Sequence, residues 1–222
     1  MEYYIVCNDP KFVYCVIPKV ACTSLKMALA PAFGIDTAGM EIPRQNKLPR
    51  FVIHEVFNQS GHQVLGKKNL EDRIESFGDH FKFGFVRNPW DRLVSCYKDK
   101  IVGAGHVIKS STSGPQRFYR NMPFSEFVEV VSETPDEDAE MHYSSQHRVL
   151  LAGDKLLVDF VGRFELLAGD FAHVSKRTGF NFRLPHVLST GGETYRSFYN
   201  KRLRNLVAER FKKDVELFNY SF

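Results

Sequence analysis

Apolar runs and polar punctuation alternate along this chain in an order that predicts strands and helices in turn. Tyr3 to Cys7 and Phe12 to Ile17 are apolar runs separated by Asn8-Asp9-Pro10, which predicts two strands joined by a tight turn. The second run leads straight into Pro18-Lys19-Val20-Ala21-Cys22-Thr23-Ser24-Leu25-Lys26, after which Leu25, Ala28 and Leu29 fall at helical spacing. Phe81 to Val86 predicts a buried strand ending in Arg87-Asn88-Pro89. Pro89 then opens a helix carrying Trp90, Leu93, Val94 and Tyr97 to about Ile101. A third buried strand is predicted over Leu156 to Val161, followed by Gly162-Arg163-Phe164-Glu165 and a helix that runs to Thr178 and stops at Gly179. Leu203, Leu206, Val207, Phe211, Val215 and Phe218 carry a C-terminal helix behind an Asn200 cap.

Between these units the pattern weakens. Residues 41–67 read mostly as loop, with a short apolar stretch, Phe51 to Phe57, that carries His54. A helix is predicted from about Asn69 to Phe77, a short one over Ser125 to Val131, and a solvated acidic turn over Glu133 to Glu140. The glycines and serines of Gly103 to Met122 predict a mobile loop. Strands alternating with helices predict an α/β fold whose central, mainly parallel sheet is flanked by helices on both faces, with ligands taken beyond the carboxyl ends of the strands.

Composition narrows the class without changing this picture. With 222 residues, 43% hydrophobic and 25% charged, the chain is neither disordered nor fibrous, and residues 1–222 are expected to form a single domain. A chain of this length buries roughly 70% of its unfolded surface and needs no disulfide or structural metal to fold. The net charge of +4 is a mild bias towards anionic partners. No run approaches the roughly 18 apolar residues of a membrane span and the first residues carry no signal-peptide pattern, so an integral membrane segment is not expected and a cytoplasmic location is. Cys7, Cys15, Cys22 and Cys96 are too irregularly spaced for a zinc site and read as reduced thiols.

Two polar turns carry the candidate chemistry. In Pro18 to Lys26, backbone amides at a helix N-terminus, the hydroxyls of Thr23 and Ser24 and the ammonium of Lys19 suit a phosphate, and equally read as a capped helix with a solvated lysine. The glycines of a Walker A loop are absent. At the second turn a P-loop kinase usually places an Asp for magnesium, whereas this strand ends in Arg87. Arg87 as a forked donor and Ser95 as a hydroxyl suit a second phosphate, against the alternatives of a surface ion pair and a helix-face hydroxyl.

Taken together, Ile17 to Lys26 and Phe85 to Lys100 resemble the two cofactor motifs of the carbohydrate sulfotransferases, most closely the chondroitin and dermatan 4-O-sulfotransferase group. Val158-Asp159-Phe160-Val161-Gly162-Arg163-Phe164-Glu165 and Asp214 to Ser221 are similar to further blocks of that family. The resemblance implies a P-loop-like three-layer fold that takes 3'-phosphoadenosine 5'-phosphosulfate (PAPS), releases the bisphosphate (PAP), requires no metal, and moves a sulfuryl group to a hydroxyl of an oligosaccharide, polysaccharide or glycoconjugate. By position, Lys19, Ala21, Cys22, Thr23 and Ser24 would hold the 5'-phosphosulfate, and Arg87 and Ser95 the 3'-phosphate. Arg163 is placed near nucleotide or acceptor.

In-line transfer needs a cation where charge builds on the leaving oxygen, the role expected of Lys19, and a base for the acceptor hydroxyl. Of eight histidines, His54, between the two motifs, is the first candidate and His142, ahead of the third block, the second; Glu55 is the carboxylate alternative. Ser189-Thr190-Gly191-Gly192 suits a lid. Lys47, Arg50, Lys109, Arg117 and Arg120, with Phe118 and Tyr119, suit an acidic sugar; no nucleic-acid-binding motif accompanies them. The rival readings are a magnesium-dependent P-loop small-molecule kinase and a non-catalytic module that binds a nucleotide or polyanion.

Overall fold

A computed structural model describes residues 3–37, 53, 57, 63–66, 74–103, 105–185 and 194–222. The chain forms two compact units, Met1–Val86 with Val149–Leu188, and Arg87–Arg148 with Ser189–Phe222.

The first unit is built on a five-stranded sheet in the order β3-β1-β2-β4-β7. Strands β1 (Tyr3–Asn8) and β2 (Lys11–Val16) form the expected antiparallel pair, and β3 (Gln63–Gly66) adds antiparallel to β1. On the other side β4 (Phe81–Val86) pairs parallel with β2, and β7 (Phe160–Arg163) parallel with β4. The carboxyl ends of β2, β4 and β7 therefore share one edge of the sheet. All but the first residue of β2 is buried, which is why its sequence is a continuous apolar run instead of an alternating one. Cross-strand rings bind the parallel part: Tyr14 stacks on Phe83 at 5.4 Å, and Phe81 on Phe160 at 6.4 Å. Helix α1 (Cys22–Leu29) buries Leu25, Ala28 and Leu29, the three positions its periodicity marks.

The third strand begins later than its apolar run predicts. Leu156 belongs to a small hairpin, β5 (Leu151–Ala152) with β6 (Lys155–Leu156), and sheet pairing starts where Asp159 N–H donates to the Lys82 carbonyl at 2.8 Å. The Asp159 carboxylate then accepts the Lys82 N–H at 2.8 Å, a polar closure that hydrophobic pattern alone does not register. Beyond β7 a 3₁₀ turn (Phe164–Leu166) leads into a helix (Leu167–Thr178) that ends, as expected, where Gly179 takes φ +71°. Of the helix predicted over Asn69 to Phe77, the described part is a 3₁₀ turn, Ile74–Phe77.

The second unit is helical. Helix α2 (Pro89–Tyr97) has Asn88 as its cap, accepting the Trp90 N–H at 3.1 Å, with Pro89 in the first turn. It continues into a π-helical turn, Lys98–Val102, which carries the chain on past the predicted end at Ile101. Helix α3 (Phe124–Glu133) buries Phe127, Val128, Val130 and Val131, and helix α4 (His147–Leu150) leads back to the first unit. The predicted C-terminal helix starts at the Asn200 cap but breaks at Phe211 into two helices, Lys201–Arg210 and Lys212–Leu217. Residues 103–122 contain no helix or strand among those described, yet they are held instead of loose. Phe118 and Met122 are buried in the core of this unit beside Phe127 and Tyr143, and the Gln116 amide donates to the carbonyls of Ile108 and Phe118. Two apolar anchors thus override a glycine and serine composition. No helix among the described residues is long and apolar enough to cross a membrane.

Gly162 is required by close approach: a Cβ there would lie 2.4 Å from the Phe85 ring, directly across the β4–β7 pair. Phe85 is 1% exposed and has nowhere to retreat. Gly162→Ala is therefore expected to cost about 1–3 kcal/mol, read as a lower urea midpoint at unchanged slope; a midpoint equal to that of the unsubstituted protein would contradict this packing.

Candidate active site

The loop after β2 is a strained turn held between buried anchors. Ile17, Val20 and Leu25 are at most 2% exposed, while Lys19 and Ala21 between them take φ +67° and +52°, in the left-handed region that non-glycine side chains rarely adopt. Ala21 is the N-cap of α1, and its methyl group offers no capping oxygen. Its carbonyl accepts the Leu25 N–H at 2.9 Å, the first bond of the helical ladder, so the amides of Cys22, Thr23 and Ser24 form the first turn. The positive end of the helix dipole adds to them. Lys19, Cys22 and Thr23 are half-buried and Ser24 nearly fully so. One turn on, Lys26 is fully buried, and burial pushes its ammonium down to about 8, with the nearby Cys22 thiol opposing the shift. Lys19, Ala21, Cys22, Thr23 and Ser24 are thus brought together as one cationic, donor-rich loop, as the sequence predicts.

Arg163 closes β7 opposite Val86 of β4, at the same edge of the sheet. Its N–H is taken by Asp170 at 2.6 Å, and its side chain is half-buried.

In the second unit Arg87 is 8% exposed, and its Nε donates to Asp91 at 2.8 Å, one turn along the chain. Ser95 lies four residues beyond Asp91 on α2, so Asp91 and Ser95 share a helix face. The ion pair that sequence reasoning set against a phosphate role is present, but on a buried guanidinium at the start of that face. The backbone of Arg87 is clamped by one side chain: its N–H donates to Gln146 Oε1 and its carbonyl accepts from Gln146 Nε2, both at 2.9 Å. Gln146 is in turn fixed by Asp214, fully buried, whose Oδ2 accepts the Gln146 N–H at 2.7 Å. Its Oδ1 accepts the His147 N–H at 2.8 Å and faces His147 Nδ1 at 2.7 Å. The C-terminal block is a packing element in this respect, and so is Ser221, whose carbonyl accepts from Asn88 Nδ2 at 2.8 Å.

His142 is half-buried with its Nδ1 2.8 Å from Glu140 Oε2. His54, Glu55, Lys47, Arg50 and the Ser189 to Gly192 segment lie outside the described residues. Among the remaining histidines, His173 packs on the Phe160 ring at 4.6 Å, and His80 bridges Asp79 and Asn8. Of the cations offered for an acceptor, Arg117 is bound to Glu133 at 2.6 Å. Asp91, Glu140, Gln146 and Asp214 were not read as site residues. Asp91 has a local signal, its four-residue spacing from Arg87; Gln146 is 59 residues from the backbone it clamps and has none.

Carbohydrate sulfotransferase 11 of Danio rerio is 26% identical over 252 residues, covering 100% of this chain and 68% of its own length. Carbohydrate sulfotransferase 10 of Xenopus laevis is 23% identical over 247 residues, 99% of this chain and 68% of its own. The human carbohydrate sulfotransferase 10 is 26% identical over 258 residues, 99% and 67%. No solved structure matches significantly. The pattern of the Sulfotransferase family is matched over residues 2–221, across both donor-rich turns and through the C-terminal block, and the chain belongs to that family.

Proposed function

We propose that this chain is a PAPS-dependent O-sulfotransferase whose acceptor is a hydroxyl of a carbohydrate, and that both units work as one catalytic domain. The observation that carries the reading is the pair of donor-rich turns that directly follow β2 and β4, one per strand. A nucleotide with phosphate groups at both ends needs two such sites, and the relatives named above are carbohydrate sulfotransferases. The donor set fits the group: the first-turn amides of Cys22, Thr23 and Ser24 with Lys19 suit the 5'-phosphosulfate, and Arg87 with Ser95 suits the 3'-phosphate. When bound, PAPS supplies a sulfuryl group on a phosphate leaving group.

The chain's own residues do the rest. Lys19 neutralises the charge that grows on the leaving oxygen, and the first-turn amides of α1 orient the group being transferred. Arg87, held rigid through its backbone by Gln146, discriminates for a 3'-phosphate. His142, with its Nδ1 against Glu140, takes the proton of the acceptor hydroxyl on Nε2. This reading puts His142 ahead of His54, the reverse of the order read from the sequence, because a carboxylate partner orients His142; His54→Ala serves as the comparison.

Lys19→Ala is expected to lower kcat on the order of 10²–10³-fold, far more than it lowers PAP affinity; an unchanged kcat would remove Lys19 from the reaction. Arg87→Ala is expected to cost about 1.5–3 kcal/mol of PAP affinity and almost nothing of ADP affinity, measured by titration calorimetry. Equal losses for the two nucleotides would refute the assignment of Arg87 to the 3'-phosphate. Radiolabelled PAPS should pass its label to at least one member of an oligosaccharide and polysaccharide library, and binding of PAP with no acceptor ever labelled would favour a binding module.

A further inference from the structure

Glu140 is turned back onto the residue two places after it. Its Oε2 accepts the His142 backbone N–H at 2.9 Å, and its two oxygens lie 3.0 and 2.8 Å from His142 Nδ1. Both side chains are about three-quarters shielded, at 21% and 24% exposure. The stretch that carries them is rigid. Arg92, 3% exposed, donates to the Met141 carbonyl at 3.3 Å and to the Ser144 carbonyl at 2.7 Å, on either side of His142. Tyr143, 1% exposed, is anchored through its hydroxyl to the Ser110 carbonyl. Burial alone would raise the Glu140 carboxyl, but the hydrogen bonds and charge of His142, helped by Lys100, outweigh it and hold the group below its ordinary value as an anion.

An anionic carboxylate accepts only, so its contact requires the proton on Nδ1 and leaves the lone pair of the neutral ring on Nε2. The pair of His147 with Asp214 differs. Asp214 also accepts the N–H groups of Gln146 and His147, so it serves as a backbone clamp as well as a partner to His147. Both oxygens of Glu140, in contrast, are directed at His142.

We propose that Glu140 is a positioning residue for sulfuryl transfer: it fixes the Nδ1–H tautomer of His142, aims Nε2 at the acceptor hydroxyl and stabilises the imidazolium that forms. The inference rests on the reading of His142 as the base. In the step it serves, the acceptor oxygen bonds to sulfur as the bond from sulfur to the leaving phosphate oxygen breaks. The acceptor proton passes to Nε2, and no oxidant or metal enters the balance. Glu140 never exchanges a proton and acts through His142 alone.

Two measurements test this. In nitrogen NMR of the unsubstituted protein, at a pH where the ring is neutral, His142 should show a protonated Nδ1 and a lone pair on Nε2. Glu140→Gln should lose that preference. The opposite tautomer in the unsubstituted protein would overturn the proposal without any variant. In kinetics, Glu140→Gln should lower kcat on the order of 10²-fold and His142→Ala on the order of 10³-fold, with acceptor KM and PAP affinity within about twofold in both. The double variant should be no slower than His142→Ala, because Glu140 has nothing left to orient. His142→Ala inactive with Glu140→Gln at full kcat would sink the positioning role and leave His142 as base. Full activity in His142→Ala would sink both.

Discussion

A strand that ends at the proposed 3'-phosphate site faces a conflict that the residues around it resolve. Its last backbone groups need partners, yet nothing bulky can be laid over the residue that meets the ligand. At Arg87 the Gln146 amide supplies both partners, a donor and an acceptor in the geometry of one more ladder rung. That amide points correctly because Asp214, buried near the end of the chain, takes the Gln146 N–H, and Asn88, the next residue after Arg87, is tied to the Ser221 carbonyl. Segments remote in sequence are thereby committed to fixing the backbone of Arg87 and the side chain of Asn88. Within the matched C-terminal block, Asp214 and Ser221 act as packing elements.

The loop after β2 meets the same demand by strain. Walker-type loops use glycine to bring amides onto a phosphate, whereas this one bends non-glycine residues, Lys19 and Ala21, into the left-handed region, at a cost of about 1–2 kcal/mol each. The alternation makes that tolerable. Val20, 1% exposed, sits between the two strained residues, and Ile17 and Leu25 are buried on either side, so the backbone cannot relax without exposing them. Under the proposed function, this strain sets the donors of the loop in place before a ligand arrives, with Lys19 as the cation offered to the leaving group.

The parts of the fold that repeat a local pattern were legible in the sequence. The apolar runs of β2 and β4, the Asn88 and Asn200 caps and the Gly179 stop all express physics that acts within a few residues. What escaped is non-local or polar. The third strand was placed too early because Leu156 and Leu157 are as apolar as strand residues, while pairing is set by Asp159 across the sheet. The segment from 103 to 122 read as loose because serine and glycine dominate it, and the burial of Phe118 that holds it depends on α3. In the site, Lys19, Thr23, Ser24 and Arg87 could be named from motif and spacing. Gln146, Asp214 and Glu140 could not, because a clamp or an orienting carboxylate leaves no periodicity.

The central claim is one nucleotide held at two phosphate sites by amides, hydroxyls and cations. It is tested most directly by calorimetric titration of the full chain with PAP and with ADP, both in EDTA. The account predicts tight binding of PAP, with a clear preference over ADP, and no change when the chelator is replaced by magnesium. Equal affinity for ADP, or binding that appears only with magnesium, would contradict it and put phosphoryl transfer first.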